Sequence, residues 1–347
     1  MTYSTGARLA RPRTPAALGR ARSLVEPALR AAVDDLDDAR MRLIAGYQLG
    51  WWDADGTPTE RGGKAIRPTL ALLAAEAVSG DARPAVPGAV AVELVHNFSL
   101  LHDDIMDRDV ERRHRPTGWV VFGEGQAILA GNAMLTAAFQ AVADSPAAAR
   151  ESLDLLLGAV QRLITGQSAD LALERADDVR LAEVLDMEMG KTAALMECAL
   201  GLGALAAGAA PAQVAHLREA GRWLGLAFQL IDDVLGVVGD PSVTGKSASS
   251  DVRAGKRSAP VIAAMRAGTD ESHQLTQLLA AGPPESDADV ARAVELIGSA
   301  GGITWAEDEA QRLLDRALGE FDAAQLRHAG ALRDLREVAA FLVHRTW

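Results

Sequence analysis

Apolar residues recur at three- and four-residue spacing along most of this 347-residue chain, which is the pattern of α-helices with a buried face. The stretch LLLGAVQRLITGQSADLAL is typical, and no proline lies between Pro146 and Pro211. This interval predicts two long helices, over about 147–176 and 179–208. No segment alternates convincingly as a β-strand, and no repeat of fixed period is visible. We therefore expect an all-α chain.

Two further helices are predicted from apolar stretches that end among acidic residues. AVAVELVHNFSLLHDDIMD is one, and REAGRWLGLAFQLIDDVLGVV, apolar on almost every face until Asp232, is the other. A helix that is apolar all round belongs inside a bundle. After a polar loop at 239–258, the pattern shortens into amphipathic helices. We expect residues 26–347 to form one domain, a helical bundle, preceded by a flexible arm at 1–25.

Composition and charge narrow the class of protein. The chain is 49% apolar, which is enough for a sizeable core, and its single cysteine, Cys198, excludes an internal disulfide framework and indicates a reducing cytoplasm. No run approaches the roughly 18 apolar residues of a membrane span, and the arginine-rich start lacks the apolar core of a secretory signal. The net charge of −12 argues against nucleic acid as the main partner. An anionic ligand would therefore need a local basic cluster.

Lysine is rare in the chain, and each lysine follows a glycine. Of 35 basic residues only four are lysines, in the stretches GGK, MGK, TGK and AGK at Lys64, Lys191, Lys246 and Lys256. The lysine ammonium is a compact point charge suited to phosphate oxygens, and glycine lets the backbone approach a ligand closely. Chance is the alternative for so few sites, but we favour a shared role in binding an anion.

The stretch HDDIMDRDVERR carries the first candidate metal site. Asp103 and Asp107 are four residues apart and share one face of a helix, with Asp104 beside them. The apolar sequence before them predicts partial burial, where like charges favour a bound cation, and hard oxygen ligands suit Mg²⁺ or Ca²⁺. A second pair, Asp232 and Asp233, ends the most apolar helix. One such cluster is often a solvated helix end; two on buried helices predict an opposed-carboxylate clamp for Mg²⁺.

Basic residues follow or precede both acidic clusters: Arg112 and Arg113, Lys246 and Lys256, and, in GGKAIRP, Lys64 and Arg67. Cations beside carboxylate-bound Mg²⁺ suit a polyanion such as diphosphate. For the arginine pair, the alternative is a surface ion pair with Asp109 or Glu111. Other sites are excluded because the sequence has no zinc, GxSxG or HExxH pattern, and GDPSVTGKS has one residue too many for a P-loop.

These stretches, in this order, resemble the trans-isoprenyl diphosphate synthase (polyprenyl synthetase) family. GGKAIRP resembles its first isopentenyl-diphosphate motif, and LLHDDIMD with RRHRPT resembles its first aspartate-rich motif and trailing arginines. GNAMLTAAF, GQSADLALE, MGKTAAL, FQLIDDVLG and GKSASSDVRAGKRS follow in the family's order. Each motif alone is weakly specific, but seven in order over roughly 30–345 are highly specific. The resemblance implies the isoprenoid synthase fold, a helical bundle around a central apolar pocket.

The resemblance also implies the roles of individual residues. Mg²⁺ would be bound by Asp103, Asp104, Asp107, Asp232 and Asp233. The allylic diphosphate would be held by Arg112, Lys191, Thr192, Gln229, Lys246 and Lys256, and isopentenyl diphosphate by Lys64, Arg67, His96 and Arg113. Catalysis would depend most on Asp103, Asp107, Lys191, Asp232 and Lys246. Taken alone, His96 would be interpreted as a core histidine and Gln229 as an ordinary polar residue of a helix.

In the family's reaction the allylic C–O bond ionises, the double bond of isopentenyl diphosphate attacks the carbocation, and loss of a proton leaves a longer trans allylic diphosphate. An apolar pocket keeps water from the cation. Three positions depart from the family's pattern. Gly236 stands where many members have a third aspartate, with Asp240 as the candidate substitute. Asn132 stands where aspartate is usual, and His114 where glycine is usual.

Product length is a further inference from the resemblance. Phe98 and Ser99 lie five and four residues before Asp103, and in the family bulk at these positions forms the floor of the chain pocket, about 7.5 Å along the helix from the aspartate. One aromatic with a small neighbour suggests a C20 product, as in a geranylgeranyl diphosphate synthase. The alternative is that Phe98 packs in the core and the floor lies elsewhere.

Two other functions could use a related sequence. A class I terpene cyclase would need no isopentenyl-diphosphate site, and the chain lacks the [ND]DxxSxxxE pattern that such cyclases carry. A non-catalytic subunit of a heteromeric synthase would have lost an acidic motif, and both are present. We therefore expect an Mg²⁺-dependent prenyltransferase. Ala- and Leu-rich helices with few charges suggest that it forms a homodimer.

Overall fold

The computed structural model describes residues 14–59, 61–145, 148–176, 178–239, 249–280 and 282–344. Within these residues the elements are, in chain order, α1 (Ala16–Asp34), α2 (Ala39–Leu49), α3 (Ile66–Ser79), α4 (Val86–Met106), β1 (Glu111–Arg112), β2 (Arg115–Pro116), α5 (Gly118–Phe122), α6 (Glu124–Ala143), α7 (Ala149–Leu173), α8 (Leu181–Glu188), α9 (Ala194–Ala206), α10 (Pro211–Val238), α11 (Ser250–Arg253), α12 (Ala259–Met265), α13 (Asp270–Leu279), α14 (Asp287–Ser299), α15 (Gly302–Ala323) and α16 (Ala329–Val343). The predicted all-α class is confirmed, because the two strands are only two residues long.

The helix ends follow from the local sequence. α2 begins after Asp38, whose carboxylate accepts hydrogen bonds from the backbone N–H groups of Arg40 and Met41. It ends at Gly50, which has a φ of 78°, a left-handed conformation that favours glycine at a helix end. α10 begins with Pro211, whose missing N–H would have no partner in the first turn.

The expected arm over 1–25 is shorter than predicted. α1 begins at Ala16, and one side of it is buried at Ala17, Leu18, Ala21 and Val25. Because arginines are frequent in this segment, its apolar stripe at helical spacing was not recognised from the sequence. This stripe packs against α3 and α4. The prediction is therefore wrong for residues 16–25, and residues 1–13 lie outside the described part of the chain.

The two long helices predicted between the prolines are each present, but the second is interrupted. The first is α7, Ala149–Leu173. The second is α8 and α9, joined by a five-residue π-helical segment, Met189–Ala193. Such wide turns within a helix are rare and frequently lie at functional sites. The MGK sequence identified for its lysine forms this segment.

α4 and α10 form the centre of the bundle. α10 packs along α9 and α15, and α4 packs along α6 and α3. Their inner residues, such as Leu94, Leu101 and Leu224, are fully buried. Both helices were predicted from their nearly continuous apolar sequence, and burial on several sides explains that composition. Their acidic C-terminal halves therefore lie inside the molecule.

Two segments, Arg83–Met106 and Glu124–Ala143, are long and apolar enough to cross a membrane by length and composition alone. The first contains the core helix α4 and is 67% buried, so packing within the bundle explains its composition. The second is α6, which is 33% buried and exposes Ile128 and Leu129. One or two such helices are weak grounds for a membrane protein, because core helices pass the same test.

Candidate active site

A cavity of about 690 Å³ opens between the C-terminal ends of α4, α7 and α10. The start of α3, the hairpin β1–β2, the π-helical segment and the stretch around α11 close its other sides. Most of the site residues predicted from the sequence line this cavity: Lys64, Arg67, His96, Ser99, Asp103, Asp107, Arg112, Arg113, Lys191, Thr192, Gln229, Asp232, Asp233 and Lys256. The fold thus brings together residues from six separate stretches of sequence. Lys246 lies outside the described residues, as does Asp240.

All three lysines that the structure describes, Lys64, Lys191 and Lys256, line this one cavity. A chain with arginine at nearly every other basic position therefore has its described lysines around a single space. The Lys191 ammonium lies 2.5 Å from a carboxylate oxygen of Asp170 on α7. Their pairing requires a close approach of two backbones: a Cβ on Gly166 would lie 2.3 Å from the backbone nitrogen of Lys191. Asp170 was not among the residues predicted for the site from the sequence.

The first acidic cluster divides into two parts. Asp103 and Asp107 line the cavity on one face of α4, as their spacing predicts. Burial raises the pKa of Asp103 to about 6; Lys191 opposes the shift and Asp107 adds to it. Asp104 is 1% exposed and does not line the cavity. Its carboxylate instead accepts hydrogen bonds from the guanidinium of Arg112. The geometry therefore does not support Asp104 as a metal ligand, because a neighbour one residue away lies on another face of the helix.

The second acidic pair divides in a similar way. Asp232 lines the cavity on α10. Asp233 is 6% exposed, and both of its oxygens accept protein hydrogen bonds, from the amide of Gln229 at 2.7 Å and from the backbone N–H of Ala259 at 3.1 Å. The Thr192 hydroxyl donates in turn to the Gln229 carbonyl at 2.7 Å. Asp233 is thus the end of a hydrogen-bonded chain that fixes Thr192 and Gln229, rather than a free metal ligand.

Glu188, which the sequence analysis did not identify, lies beside Asp233 and is 3% exposed. Burial and the neighbouring Asp233 raise the pKa of Glu188 well above its usual range, which favours the protonated form. Burial also raises the pKa of Asp233 to about 6. Glu188 could not be predicted from the sequence, because an acidic residue in an amphipathic helix is ordinarily solvated.

The remaining acids suit a metal shared with substrate. No cluster of three metal-ligating side chains occurs within the described residues. Asp103 and Asp107 on α4 instead face the same cavity as Asp232 on α10. Mg²⁺ is commonly held by one or two carboxylates and completes its shell with water and phosphate oxygens. The donor set therefore fits Mg²⁺ that arrives with a diphosphate.

A second wall of the cavity is basic. Arg67 and His96 are half-buried, and their partial removal from water lowers the pKa of each. Nearby arginines lower that of His96 further, so the imidazole is neutral. The guanidinium Nε of Arg67 is buried without a hydrogen-bond partner among the described residues. The guanidinium of Arg113 lies against Gly63, about 3 Å from where a Cβ would be. A half-buried cation whose buried Nε has no partner is suited to an anionic ligand.

The hairpin β1–β2 explains how the two arginines reach different places. Arg113 and His114 form its turn, with φ values of 53° and 59°. Two successive left-handed residues match the hairpin's twist but favour glycine, which accounts for the glycine usual at the position of His114. Arg112 turns toward Asp104, and its contact with Asp109 is longer, at 3.7 Å. The surface ion pair considered from sequence is thus a minor contact.

The third-aspartate position of the second motif is occupied by another residue. A Cβ on Gly236 would lie 2.0 Å from Oδ2 of Asp251. The carboxylate of Asp251, from α11, therefore fills the space that a side chain at Gly236 would take, and it lines the same cavity. The pKa of Lys256 is raised overall. Burial alone would lower this pKa, but the charges of Asp251 and of other nearby carboxylates outweigh burial. Asp251 lies within the motif GKSASSDVRAGKRS, but no role was predicted for it.

The predicted chain-length floor is only half supported by the packing. Ser99 lines the cavity, one turn before Asp103 on α4. Phe98 does not: its ring lies edge-on to His102 with centroids 4.8 Å apart, and against Gly131 of α6. Five residues on a helix rotate a side chain about 140° away from Asp103. The prediction is corrected for Phe98, which packs between α4 and α6 as the core alternative expected.

Comparison with known proteins agrees with this arrangement. The family model described as polyprenyl synthetase matches residues 57–297. A (2E,6E)-farnesyl diphosphate synthase of Mycobacterium tuberculosis is 43% identical over 339 residues, 96% of this chain and 94% of that protein. A geranylgeranyl diphosphate synthase of the same organism is 42% identical over 291 residues, 83% of each. The crystal structure of a polyprenyl synthetase from Streptomyces coelicolor A3(2) superposes with a TM-score of 0.90 at 44% identity, covering 94% of this chain and 99% of that one. The chain therefore belongs to the polyprenyl synthetase family and is a trans-prenyltransferase.

Proposed function

We propose that this enzyme condenses isopentenyl diphosphate with allylic diphosphates, in the presence of Mg²⁺, to give C20 geranylgeranyl diphosphate. The observation that carries the proposal is the single cavity with acidic residues on α4 and α10, lysines between them, and a separate basic wall at α3 and the hairpin. Two anionic groups can bind side by side in such a space. A class I cyclase has no use for the second, basic subsite.

The allylic diphosphate binds between Asp103 and Asp107 on one side and Asp232 on the other, with Arg112, Lys191 and Lys256 supplying cationic donors. Lys246 completes this set in the family's pattern. Asp104 and Asp233 act behind it, by holding Arg112 and the chain of Gln229 and Thr192. When bound, Mg²⁺ supplies positive charge that stabilises the leaving diphosphate.

Isopentenyl diphosphate binds at Lys64, Arg67, His96 and Arg113. Support for this assignment comes from the buried Nε of Arg67, which has no hydrogen-bond partner among the described residues, and from Lys64 and Arg113 on the same wall. Ionisation moves the C1–O bonding pair of the allylic substrate onto its diphosphate. The double bond of isopentenyl diphosphate then gives its electron pair to C1, and a proton leaves to the released diphosphate.

The C20 product rests on Ser99. Its small side chain, one turn below Asp103, leaves room for a prenyl chain to extend along α4. The similar proteins include one named for a C15 product and one named for a C20 product, so identity alone favours neither length. A C15 limit would need a bulkier group at this level of the wall.

We also propose that the enzyme is a cytoplasmic homodimer. Support comes from exposed apolar residues on consecutive helices: Val120 on α5, Ile128 and Leu129 on α6, and Leu157 and Ile164 on α7. Exposed apolar residues of this kind are suited to an interface that a second copy of the chain would cover. The only cysteine, Cys198, is fully buried, as in a protein of a reducing compartment.

The test uses purified protein, Mg²⁺, isopentenyl diphosphate and each of the C5, C10 and C15 allylic diphosphates, with products measured by mass spectrometry. We expect a C20 diphosphate. A shorter or longer product would keep the synthase and reject the chain-length proposal. A hydrocarbon released from an allylic substrate alone would indicate a cyclase, and no product would indicate a non-catalytic subunit.

A bulky side chain at Ser99 sharpens this test. We expect Ser99→Phe to shift the product to C15 or shorter, since the ring would close the pocket one turn below Asp103. Phe98→Ala is the matched variant, because Phe98 faces α6; it should leave product length unchanged. A longer product from Phe98→Ala would restore Phe98 as the floor.

A further inference from the structure

Asp170 is a charged residue of the cavity that the proposed reaction does not use. It lies on α7 and lines the cavity, and its Oδ2 accepts a hydrogen bond from Nζ of Lys191 at 2.5 Å. The two side chains are 27% and 24% exposed, so solvent screens the pair only in part. A carboxylate in this place repels a diphosphate ligand. Its presence against a lysine that would bind that ligand therefore requires an explanation.

The backbone on both sides of this ion pair is built for close contact. Lys191 lies in the π-helical segment, a wide turn of a kind that is frequent at functional sites. A Cβ on Gly166 of α7 would lie 2.3 Å from the backbone nitrogen of Lys191, and a Cβ on Gly190 would lie 2.9 Å from a backbone oxygen of α7. Asp170 follows Gly166 by one helical turn. The two glycines thus fix the backbone of Lys191, and Asp170 holds the far end of its side chain.

A lysine held in this way is prepared for an anion before the anion arrives. A free lysine side chain loses about 2 kcal/mol of rotamer entropy when it is fixed. The ion pair with Asp170 bears much of that loss in the free enzyme, so less is lost when substrate binds. An ammonium has three N–H donors, and one bond to Asp170 leaves two for a ligand. The charge of Lys191 also acts on Asp103, which places the ammonium near the proposed metal clamp.

We propose that Asp170 is a positioning residue that holds the Lys191 ammonium against the diphosphate of the allylic substrate. This inference rests on the proposed function. Lys191 keeps one N–H donated to Asp170 and donates the other two to diphosphate oxygens. When the C1–O bond breaks, its electron pair leaves with the diphosphate, and the fixed ammonium stabilises the added negative charge. A preorganised charge does this without reorganising during the reaction.

The first test is Asp170→Asn, which keeps the shape of the side chain and removes its charge. We expect kcat to fall roughly tenfold to a hundredfold, because the ammonium is no longer held in place. The KM for the allylic diphosphate should rise, whereas the KM for isopentenyl diphosphate, which binds at the separate basic wall, should not change. Asp154→Asn is the matched control, since Asp154 forms an exposed ion pair with Arg150 on the same helix, at 2.9 Å. It should change neither constant.

A double-mutant cycle tests whether Asp170 acts through Lys191. Lys191→Met removes the ammonium, so adding Asp170→Asn should then lower kcat by no more than about twofold. Losses that multiply in the double variant would overturn the inference, as would a changed Mg²⁺ requirement in Asp170→Asn, because Asp170 would then act on the metal directly.

Asp170→Glu retains the carboxylate and should recover part of the lost turnover, which a variant that merely fails to fold could not explain. Circular dichroism confirms the helical content of each variant. Unchanged kcat and KM in Asp170→Asn would also overturn the inference. A wild-type enzyme without prenyl transfer would overturn the proposed function itself, which separates the two failures.

Discussion

The acidic ends of α4 and α10 carry the same pair of adjacent aspartates but hold them differently. In each pair the first residue, Asp103 or Asp232, lines the cavity; of the second residues, Asp233 also reaches the lining and Asp104 does not. The second is buried and bound by protein donors. Asp104 pairs with the cationic Arg112, whereas Asp233 accepts hydrogen bonds from neutral groups. Adjacent carboxylates on a helix therefore have different roles, because 100° of rotation separates them. One is available to a ligand and the other binds protein groups.

The two ends also differ one turn later. Asp107 continues the first cluster on the cavity wall, while the second has Gly236, over which the carboxylate of Asp251 lies. A carboxylate is therefore present at both places, but at the second it comes from a different helix. The two acidic faces are alike in chemistry and unlike in the part of the sequence that supplies them.

The largest expected effect concerns the first aspartate of each pair. Asp103→Asn and Asp232→Asn should each lower kcat by roughly a thousandfold, because each removes a carboxylate from the proposed metal clamp. Steady-state kinetics at saturating Mg²⁺ measures this, with circular dichroism to confirm helical content. Asp186→Asn, on the exposed face of α8, is the control. Near-normal turnover in either variant would break the comparison.

The next effect concerns the third position of the second cluster. Gly236→Ala places a Cβ 2.0 Å from Oδ2 of Asp251 and must displace that carboxylate. We expect kcat to fall roughly tenfold or more, since displacement of about 1 Å in a site is costly to turnover. Gly158→Ala on α7 is the matched control, because nothing lies within 4 Å of its Cβ position. Equal activity of the two variants would show that Asp251 has no role at Gly236.

A smaller effect, on the free energy of unfolding, distinguishes the ion pair of Asp104 from the neutral hydrogen bonds around Asp233. Asp104→Asn removes the partner charge of Arg112 and should lower the free energy of unfolding by about 1–3 kcal/mol. Glu188→Gln is the comparison variant: it replaces a protonated acid by a neutral amide of the same shape and should change stability by less than about 0.5 kcal/mol. Urea unfolding measures both. A large loss in Glu188→Gln would mean that Glu188 is ionised.

The smallest expected effect is the pH dependence of the metal-free protein. Burial raises the pKa of Asp103 and of Asp233 to about 6, above the value near 4 of an unfolded aspartate. Between these values the folded state binds more protons than the unfolded state. The contribution of these residues to the free energy of unfolding therefore falls as pH rises from about 4 to about 6. Thermal unfolding in EDTA measures it, and Asp103→Asn should flatten the slope; an unchanged slope would contradict the assignment.

Much of the fold could be predicted from the sequence because it follows from local patterns. Three- and four-residue apolar spacing specified α7, and nearly continuous apolar sequence specified α4 and α10. The spacing of Asp103 and Asp107 predicted their common face. The start of α1 was missed, because its apolar stripe of alanines is weak beside its arginines. The π-helical segment was missed as well, since its wide turn depends on the close contact of α7 at Gly166.

The sequence by itself determined the helical class, the two acidic helix ends and the set of cationic residues, since each depends on residue type and short-range spacing. Only the tertiary structure decided which carboxylates face the cavity, because adjacent residues on a helix diverge and distant helices supply the partners. It turned Asp104 toward Arg112, brought Asp251 over Gly236 and directed Phe98 toward α6. These outcomes depend on how helices pack against one another, and no stretch of sequence contains that information alone.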